Sequence, residues 1–147
     1  MRGYLLALGV LLPFLSIAQS PVSWNYSAKK LTDKSYEIHI TATVSSPWHI
    51  YSQYTPEGGP LPTMITFNKN PLVSFEGKAK ETGNLVKKYE EVFEVDVKYF
   101  DGKVDFVQVV KLKSNVKTNV NGTVEFMVCN DTQCLPPSTI PFSISLQ

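Results

Sequence analysis

Apolar and polar residues alternate along most of this 147-residue chain, and this period of two limits what the chain can fold into. The pattern is clearest over 36–44, YEIHITATV, where every second residue is apolar, as in a strand with one buried face. No stretch after residue 20 sustains the apolar spacing of a helix. The alternation therefore predicts strands over 36–44, 89–99, 103–110, 124–128 and 140–146.

Turn-forming residues separate these strands and indicate the fold class. Gly, Pro and Asn are concentrated in 55–62, 68–71 and 114–122, and Asp101-Gly102 is a hairpin turn signal. About seven to nine short strands separated in this way predict an all-β, immunoglobulin-like antiparallel β-sandwich.

The first residues predict export. A single Arg2 precedes an apolar run over 5–17, and the S-x-A pattern over 16–18 is one that a signal peptidase accepts. The run is shorter than the roughly 20 residues of a membrane-spanning helix. We predict a signal peptide over 1–19 and one β-sandwich domain over 20–147, located in the periplasm or secreted, with no membrane insertion of the mature chain. Disulfides form and persist in that environment.

Charge and motifs argue against several functions. The 14 basic and 13 acidic residues leave a net charge of +1 without a basic patch, so nucleic acid is not expected as a partner. No Ser/His/Asp set or pair of carboxylates indicates hydrolysis. We expect neither a cofactor nor a structural zinc ion, because the histidines at 39 and 49 do not pair at a metal-ligand spacing.

Cys129 and Cys134, the two cysteines of the chain, lie in the stretch VCNDTQCLPP. They flank the tip of a predicted hairpin, close enough for a disulfide. The residues leave three roles open: a structural staple, a pair of soft ligands for copper(I), or a pair that exchanges with other thiols. As a staple, so short a loop removes unfolded-state entropy worth only about 2 kcal/mol. A purely structural bond would make the chain a non-catalytic exported binding or adhesion sandwich.

The neighbours of the cysteines favour a disulfide that is attacked over a thiol that attacks. No Lys, Arg or His adjoins either cysteine, and the charge of Asp131 would raise a thiol pKa. Pro136 and Pro137 stiffen the exit from the loop and remove two backbone donors, which keeps this edge from extending into a ladder.

The run FMVCNDTQCLPP, near the end of an exported sandwich, resembles the N-terminal domain of the thiol:disulfide interchange protein DsbD, an immunoglobulin-like periplasmic domain. In layout the resemblance extends from Trp24 to the C-terminus. Its specific part is the two cysteines and the Pro-Pro pair, with weaker support from WHIY at 48–51 and from Tyr89. It implies a protein-disulfide oxidoreductase in which Cys129 and Cys134 are the exchanging pair. The residues expected to line the redox site are Tyr51, Asp131, Leu135, Pro136 and Pro137.

The resemblance also implies partners. In the family, electrons pass from a membrane-embedded partner domain to periplasmic thioredoxin-like proteins, among them disulfide isomerases and cytochrome c maturation factors. For this chain it implies a membrane-embedded thiol transporter as electron donor and exported thioredoxin-like proteins as acceptors. Because the chain ends at Gln147, just after the predicted sandwich, we expect the transporter to be a separate protein.

This chain departs from the best-known family members at two places. Their loop between the cysteines is longer, and a cap loop with an aromatic residue shields their sulfurs. The corresponding stretch here is expected to be 81–85, ETGNL, which lacks an aromatic residue. Leu85 or Val86 is the expected substitute.

Overall fold

The computed structural model describes residues 20–147, so the predicted signal peptide over 1–19 lies outside the described residues. Nine strands and no helix make up this part of the chain. Accordingly, nothing in it forms a helix long and apolar enough to cross a membrane. The strands are β1 (Val22–Thr32), β2 (Ser35–Val44), β3 (His49–Tyr51), β4 (Met64–Phe67), β5 (Val73–Glu90), β6 (Val95–Leu112), β7 (Thr118–Phe126), β8 (Val128–Cys129) and β9 (Ser138–Leu146).

The strands form two antiparallel sheets. One has the order β1-β2-β6-β3-β8, with β5 also paired to β6, and the other has the order β4-β7-β9. In the smaller sheet, β7 pairs with β9 from Thr118↔Leu146 to Phe126↔Ser138. β7 thus begins inside the turn predicted over 114–122, which is shorter than predicted. The two sheets share one core, and the prediction of an all-β sandwich is confirmed.

Alternating apolar residues of both sheets meet in that core. Ile38 and Ile40 of β2, Phe106 of β6 and Val124 of β7 have no exposed surface. Burying a side chain of this size stabilises the fold by about 1.5–3 kcal/mol. Trp24 of β1 packs against the core, with its ring centroid 6.4 Å from that of Phe106. The period of two read from the sequence is therefore the period of burial.

The structure corrects the prediction for the long hairpin of β5 and β6. The pattern over 89–99 predicted one strand and Asp101-Gly102 a hairpin turn, but the chain turns over 91–94 and β6 runs unbroken through Asp101-Gly102. Gly102 has a φ of 74° where β6 changes its neighbour from β3, paired at Asp101, to β2, paired at Lys103. A left-handed backbone angle favours glycine in a turn and in a bulge alike, so the residue type did not distinguish the two.

The segment after β7 carries the first cysteine from one sheet to the other. β7 ends at Phe126 in the three-stranded sheet, whereas Val128 and Cys129 form β8, which pairs with β3 in the six-stranded sheet. β9 then returns to pair with β7 from Ser138. The predicted hairpin of β7 and β9 exists, but the connection between its strands includes β8, which places Cys129 beside β3.

Candidate redox site

Cys129 and Cys134 are bonded to each other across the tip that follows β8. Their Cα atoms lie 4.0 Å apart, and the two residues face each other as an isolated antiparallel bridge. Cys129 is only 2% exposed, whereas Cys134 lies on the surface. The two cysteines are therefore unequally buried, and Cys134 is the more accessible residue of the pair.

The tip between the cysteines is built on the side chain of Asn130. Its Oδ1 accepts hydrogen bonds from the backbone N–H of Thr132 and of Gln133, both at 2.9 Å, and from the Thr132 hydroxyl at 3.0 Å. The backbone N–H of Asn130 donates to the Gln133 carbonyl, and that of Leu135 donates to the Val128 carbonyl, each at 2.9 Å. An asparagine that bonds to the backbone two residues ahead is a common way to form such a turn. These hydrogen bonds hold the loop in addition to the disulfide.

The disulfide lies on the face of the six-stranded sheet that points away from the sandwich core. Ile50 of β3 and its partner Val128 belong to the main core, so the alternation along each strand puts their neighbours on the other face. On that face Tyr51, Val97 and Cys129 form a separate buried cluster, exposed by 4%, 1% and 2% respectively. The disulfide is therefore supported by a small buried cluster separate from the main core.

An open cavity of about 370 Å³ lies over the two sulfurs. Of the residues predicted to line the site, the structure brings Tyr51 and Asp131 to this cavity together with both cysteines. It does not bring the other three there: Leu135 packs against the main core, and Pro136 and Pro137 are exposed on the exit from the tip. The remaining lining residues are His49, Lys88, Glu90, Phe93 and Asn130.

A known family accounts for almost the whole chain. The family described as thiol:disulfide interchange protein DsbD, N-terminal, matches residues 17–145. The chain belongs to this family. No curated protein matches it by sequence.

Solved structures of DsbD and ScsB domains resemble the fold. The N-terminal periplasmic domain of ScsB from Proteus mirabilis superposes with a TM-score of 0.56 at 15% identity, covering 90% of this chain and 49% of that one, so this chain spans about half its length. The Neisseria meningitidis DsbD N-terminal domain in the reduced form gives 0.53 at 13% identity, covering 83% and 84%. The complex of that domain with the PilB N-terminal domain gives 0.53 at 12% identity, covering 92% and 88%. With the family match, this likeness confirms the immunoglobulin-like fold.

The stretch expected to correspond to the DsbD cap loop does not lie over the sulfurs. Residues 81–85 belong to β5, where the Glu81 carboxylate accepts hydrogen bonds from the Ser52 hydroxyl at 2.7 Å and the Gln53 backbone N–H at 2.6 Å. Neither Leu85 nor Val86 is among the residues that line the cavity. Instead the end of β5 and the turn beyond it approach the pair, and the aromatic side chain there is Phe93. Residues 81–85 lie within β5, which is longer than the sequence indicated, and the expected substitutes Leu85 and Val86 do not line the cavity.

Sequence reasoning missed most of the cavity's polar lining. For His49 a signal was present, because it shares the WHIY stretch and the strand face of Tyr51. For Lys88, Glu90 and Phe93 no local signal existed, since their position depends on the pairing of β5 with β6 and of β6 with β3. Within residues 20–147, no three or more His, Cys, Asp or Glu side chains converge where a metal ion could bind.

The charges around the pair are mixed at the rim and absent at its base. Lys88 Nζ lies 3.0 Å from Glu90 Oε1, and this hydrogen bond raises the pKa of Lys88. Burial raises the pKa of Tyr51 to about 12, so its hydroxyl stays protonated at neutral pH. Burial lowers the pKa of His49. The groups nearest the base of this DsbD-family site are thus the Tyr51 hydroxyl and the His49 imidazole, and neither is a permanent cation.

Proposed function

We propose that this protein carries out thiol–disulfide interchange in the periplasm through a reversible Cys129–Cys134 disulfide. In this role it relays electrons from a membrane-embedded thiol transporter to exported thioredoxin-like proteins. Membership of the DsbD N-terminal family supports interchange, and the predicted signal peptide supports export. The observation that carries the proposal is the unequal burial of two bonded cysteines at an accessible tip.

In this proposal Cys134 is the sulfur that exchanges with partners. A partner thiolate attacks Cys134 Sγ in line with the S–S bond, a new disulfide joins the partner to Cys134, and the bonding electron pair leaves on Cys129 Sγ. The partner's second thiol then attacks the partner sulfur that is bonded to Cys134. The partner's own disulfide forms, and Cys134 is released as a thiol. The partner leaves oxidised, and this protein has gained two electrons and two protons. The reverse sequence, begun by the Cys134 thiolate, passes them to an acceptor disulfide.

The construction of the tip supports repeated opening. Hydrogen bonds through Asn130 and between Leu135 and Val128 hold the loop alongside the disulfide, and breaking the S–S bond removes none of their donors or acceptors. Opening the bond therefore costs little beyond loop entropy, which amounts to about 2 kcal/mol for a loop of this length. A disulfide that contributes so little to the stability of the fold is suited to repeated oxidation and reduction. It is poorly suited to a purely structural role.

An apolar surface beside the pair supports docking of a protein partner. Tyr89 and Val92, near the turn after β5, are 57% and 86% exposed, and Phe93, which lines the cavity over the sulfurs, is 38% exposed. Clustered exposed apolar side chains are typical of interaction sites. The Neisseria meningitidis DsbD N-terminal domain forms a complex with the PilB N-terminal domain. We propose that thioredoxin-like partners contact this surface when their thiolate reaches Cys134.

Electron transfer between purified proteins tests the proposal. The reduced protein is mixed with an oxidised exported thioredoxin-like protein, and the free thiols of each are counted over time by alkylation and mass spectrometry. We expect the partner to become reduced as the disulfide forms on this protein, faster than glutathione disulfide reacts at the same concentration. A pair that reacts no faster with the thioredoxin-like protein than with glutathione disulfide would favour a structural bond in a binding sandwich.

A further inference from the structure

His49 lies directly across the β3–β8 ladder from Cys129. Its Nε2 is 3.1 Å from the hydroxyl oxygen of Tyr51, and its ring packs against Tyr99 with centroids 4.2 Å apart. Tyr51 in turn belongs to the small buried cluster that also contains Val97 and Cys129. The imidazole is thus hydrogen-bonded to the hydroxyl of a residue that shares the buried cluster of Cys129.

His49 also connects the redox cavity with a second, more open space. It lines the cavity over the sulfurs and a neighbouring cavity of about 530 Å³ whose walls include Trp48, Asp101 and Asp131. Water in that outer cavity can exchange protons with the imidazole, whereas Cys129 is 2% exposed. The histidine is therefore an ionisable group that lines both the outer cavity and the cavity over the buried cysteine.

Breaking the disulfide from the Cys134 side creates a chemical difficulty at Cys129. The departing sulfur carries the electron pair of the broken bond, and burial penalises its charged form. Lys88, the one lysine or arginine among the described residues that line the cavity, is already paired with Glu90. A proton donor at the base of the site would remove the penalty.

We infer that His49, acting through Tyr51, supplies the proton that neutralises Cys129 as the S–S bond breaks; this deepens the proposed interchange and rests on it. The thiolate of the incoming thiol forms a bond with Cys134 Sγ, and the electron pair of the old bond moves to Cys129 Sγ. A proton passes from Tyr51 Oη to that sulfur, and the imidazolium proton on His49 Nε2 replaces it on Tyr51. Solvent then reprotonates His49, so Tyr51 ends unchanged and the incoming thiol is the only co-reactant. His49 acts through Tyr51 and is a positioning residue.

Charged and titratable groups from three other elements face His49. Burial lowers its pKa, the carboxylates Asp101, Asp131 and Glu90 oppose that shift, and Lys88 adds to it. Tyr99, with a pKa raised by burial, stays neutral against the ring. The net direction is downward, so the imidazolium that donates the proton becomes abundant only in mildly acidic solution. The relay should therefore strengthen as pH falls.

A pH profile measured with a small thiol tests the proton relay from His49 through Tyr51 separately from the docking of a protein partner. Reduction of the purified protein by 2-mercaptoethanol is followed from about pH 5 to pH 8, and each rate is divided by the thiolate concentration to remove ionisation of the nucleophile. For the native protein we expect the thiolate rate constant to rise by about tenfold or more as pH falls through the pKa of His49, as general acid catalysis predicts. His49→Gln, which retains a donor for Tyr51 but has no acidic proton, should give a flat profile, and so should Tyr51→Phe.

His39→Gln is the matched control, because His39 lies on β2 and hydrogen-bonds to Asp105 at 2.7 Å, outside the redox cavity. This variant should keep the native profile. If His49→Gln keeps the native rise, the relay is refuted while interchange stands. If the native protein does not exchange at all, the interchange itself is refuted. Should Tyr51→Phe fail to fold, the half-buried His49 site still decides the question through His49→Gln.

Discussion

Replacing Cys129 with serine is expected to convert the protein into a trap for its partners, whereas replacing Cys134 is not. Both substitutions remove the disulfide and should abolish two-electron transfer. Cys129→Ser leaves the exposed Cys134 thiol without the neighbour that would resolve a mixed disulfide. Cys134→Ser leaves a thiol that is 2% exposed and that a partner sulfur cannot approach in line.

Non-reducing electrophoresis after incubation with an oxidised thioredoxin-like protein measures the difference. Because access to the sulfur limits the reaction, we expect Cys129→Ser to accumulate on the order of tenfold more mixed disulfide than Cys134→Ser. Alkylation of each variant with a small reagent controls for thiol reactivity in the folded protein. Equal trapping by both variants would show that the tip rearranges before reaction, and stronger trapping by Cys134→Ser would reverse the assignment of the attacked sulfur.

The largest effect on stability is expected from the core and not from the disulfide. Phe106 has no exposed surface and packs between the sheets beside Trp24. Truncating a buried phenylalanine to alanine removes its transfer free energy and leaves a cavity, a loss of about 3–5 kcal/mol. For a domain of this size, a loss of 3 kcal/mol lowers Tm by roughly 10 °C. Urea denaturation of oxidised Phe106→Ala and of the oxidised native protein gives the free energies of unfolding.

Two controls relate this loss to the site. Phe93→Ala changes a residue of the same type that is 38% exposed, and it should cost less than about 1 kcal/mol. Reduction of the native protein should cost about 2 kcal/mol, the loop entropy alone. If reduction destabilised the protein more than Phe106→Ala does, the disulfide would be a principal structural element and its role in a redox cycle would be contradicted.

The parts of the fold that local pattern determines were predictable. Alternation over 36–44 and 140–146 corresponds to β2 and β9, because each strand buries one face against the same core. The loop over 55–62 carries its own turn residues and holds no strand. Fold class and family followed from such features together with the cysteine motif.

What the sequence did not indicate depends on pairing between distant strands. The chain passes from β7 in one sheet to β8 in the other at Met127 without interrupting the alternation of apolar residues. The sequence pattern therefore predicted one strand where the structure has two. His49 becomes a neighbour of Cys129 only through the β3–β8 register, and Phe93 reaches the cavity only through the β5–β6 turn. Register is set by packing across the sheet, which a single sequence does not contain.

The reduction potential of the Cys129–Cys134 pair tests the central claim most directly. The purified protein is equilibrated with glutathione or dithiothreitol buffers of defined potential, and the reduced fraction is determined by alkylation and mass spectrometry. An exchanging pair is predicted to have a potential more oxidising than about −300 mV. A value below about −300 mV, typical of structural disulfides, would contradict the proposed function.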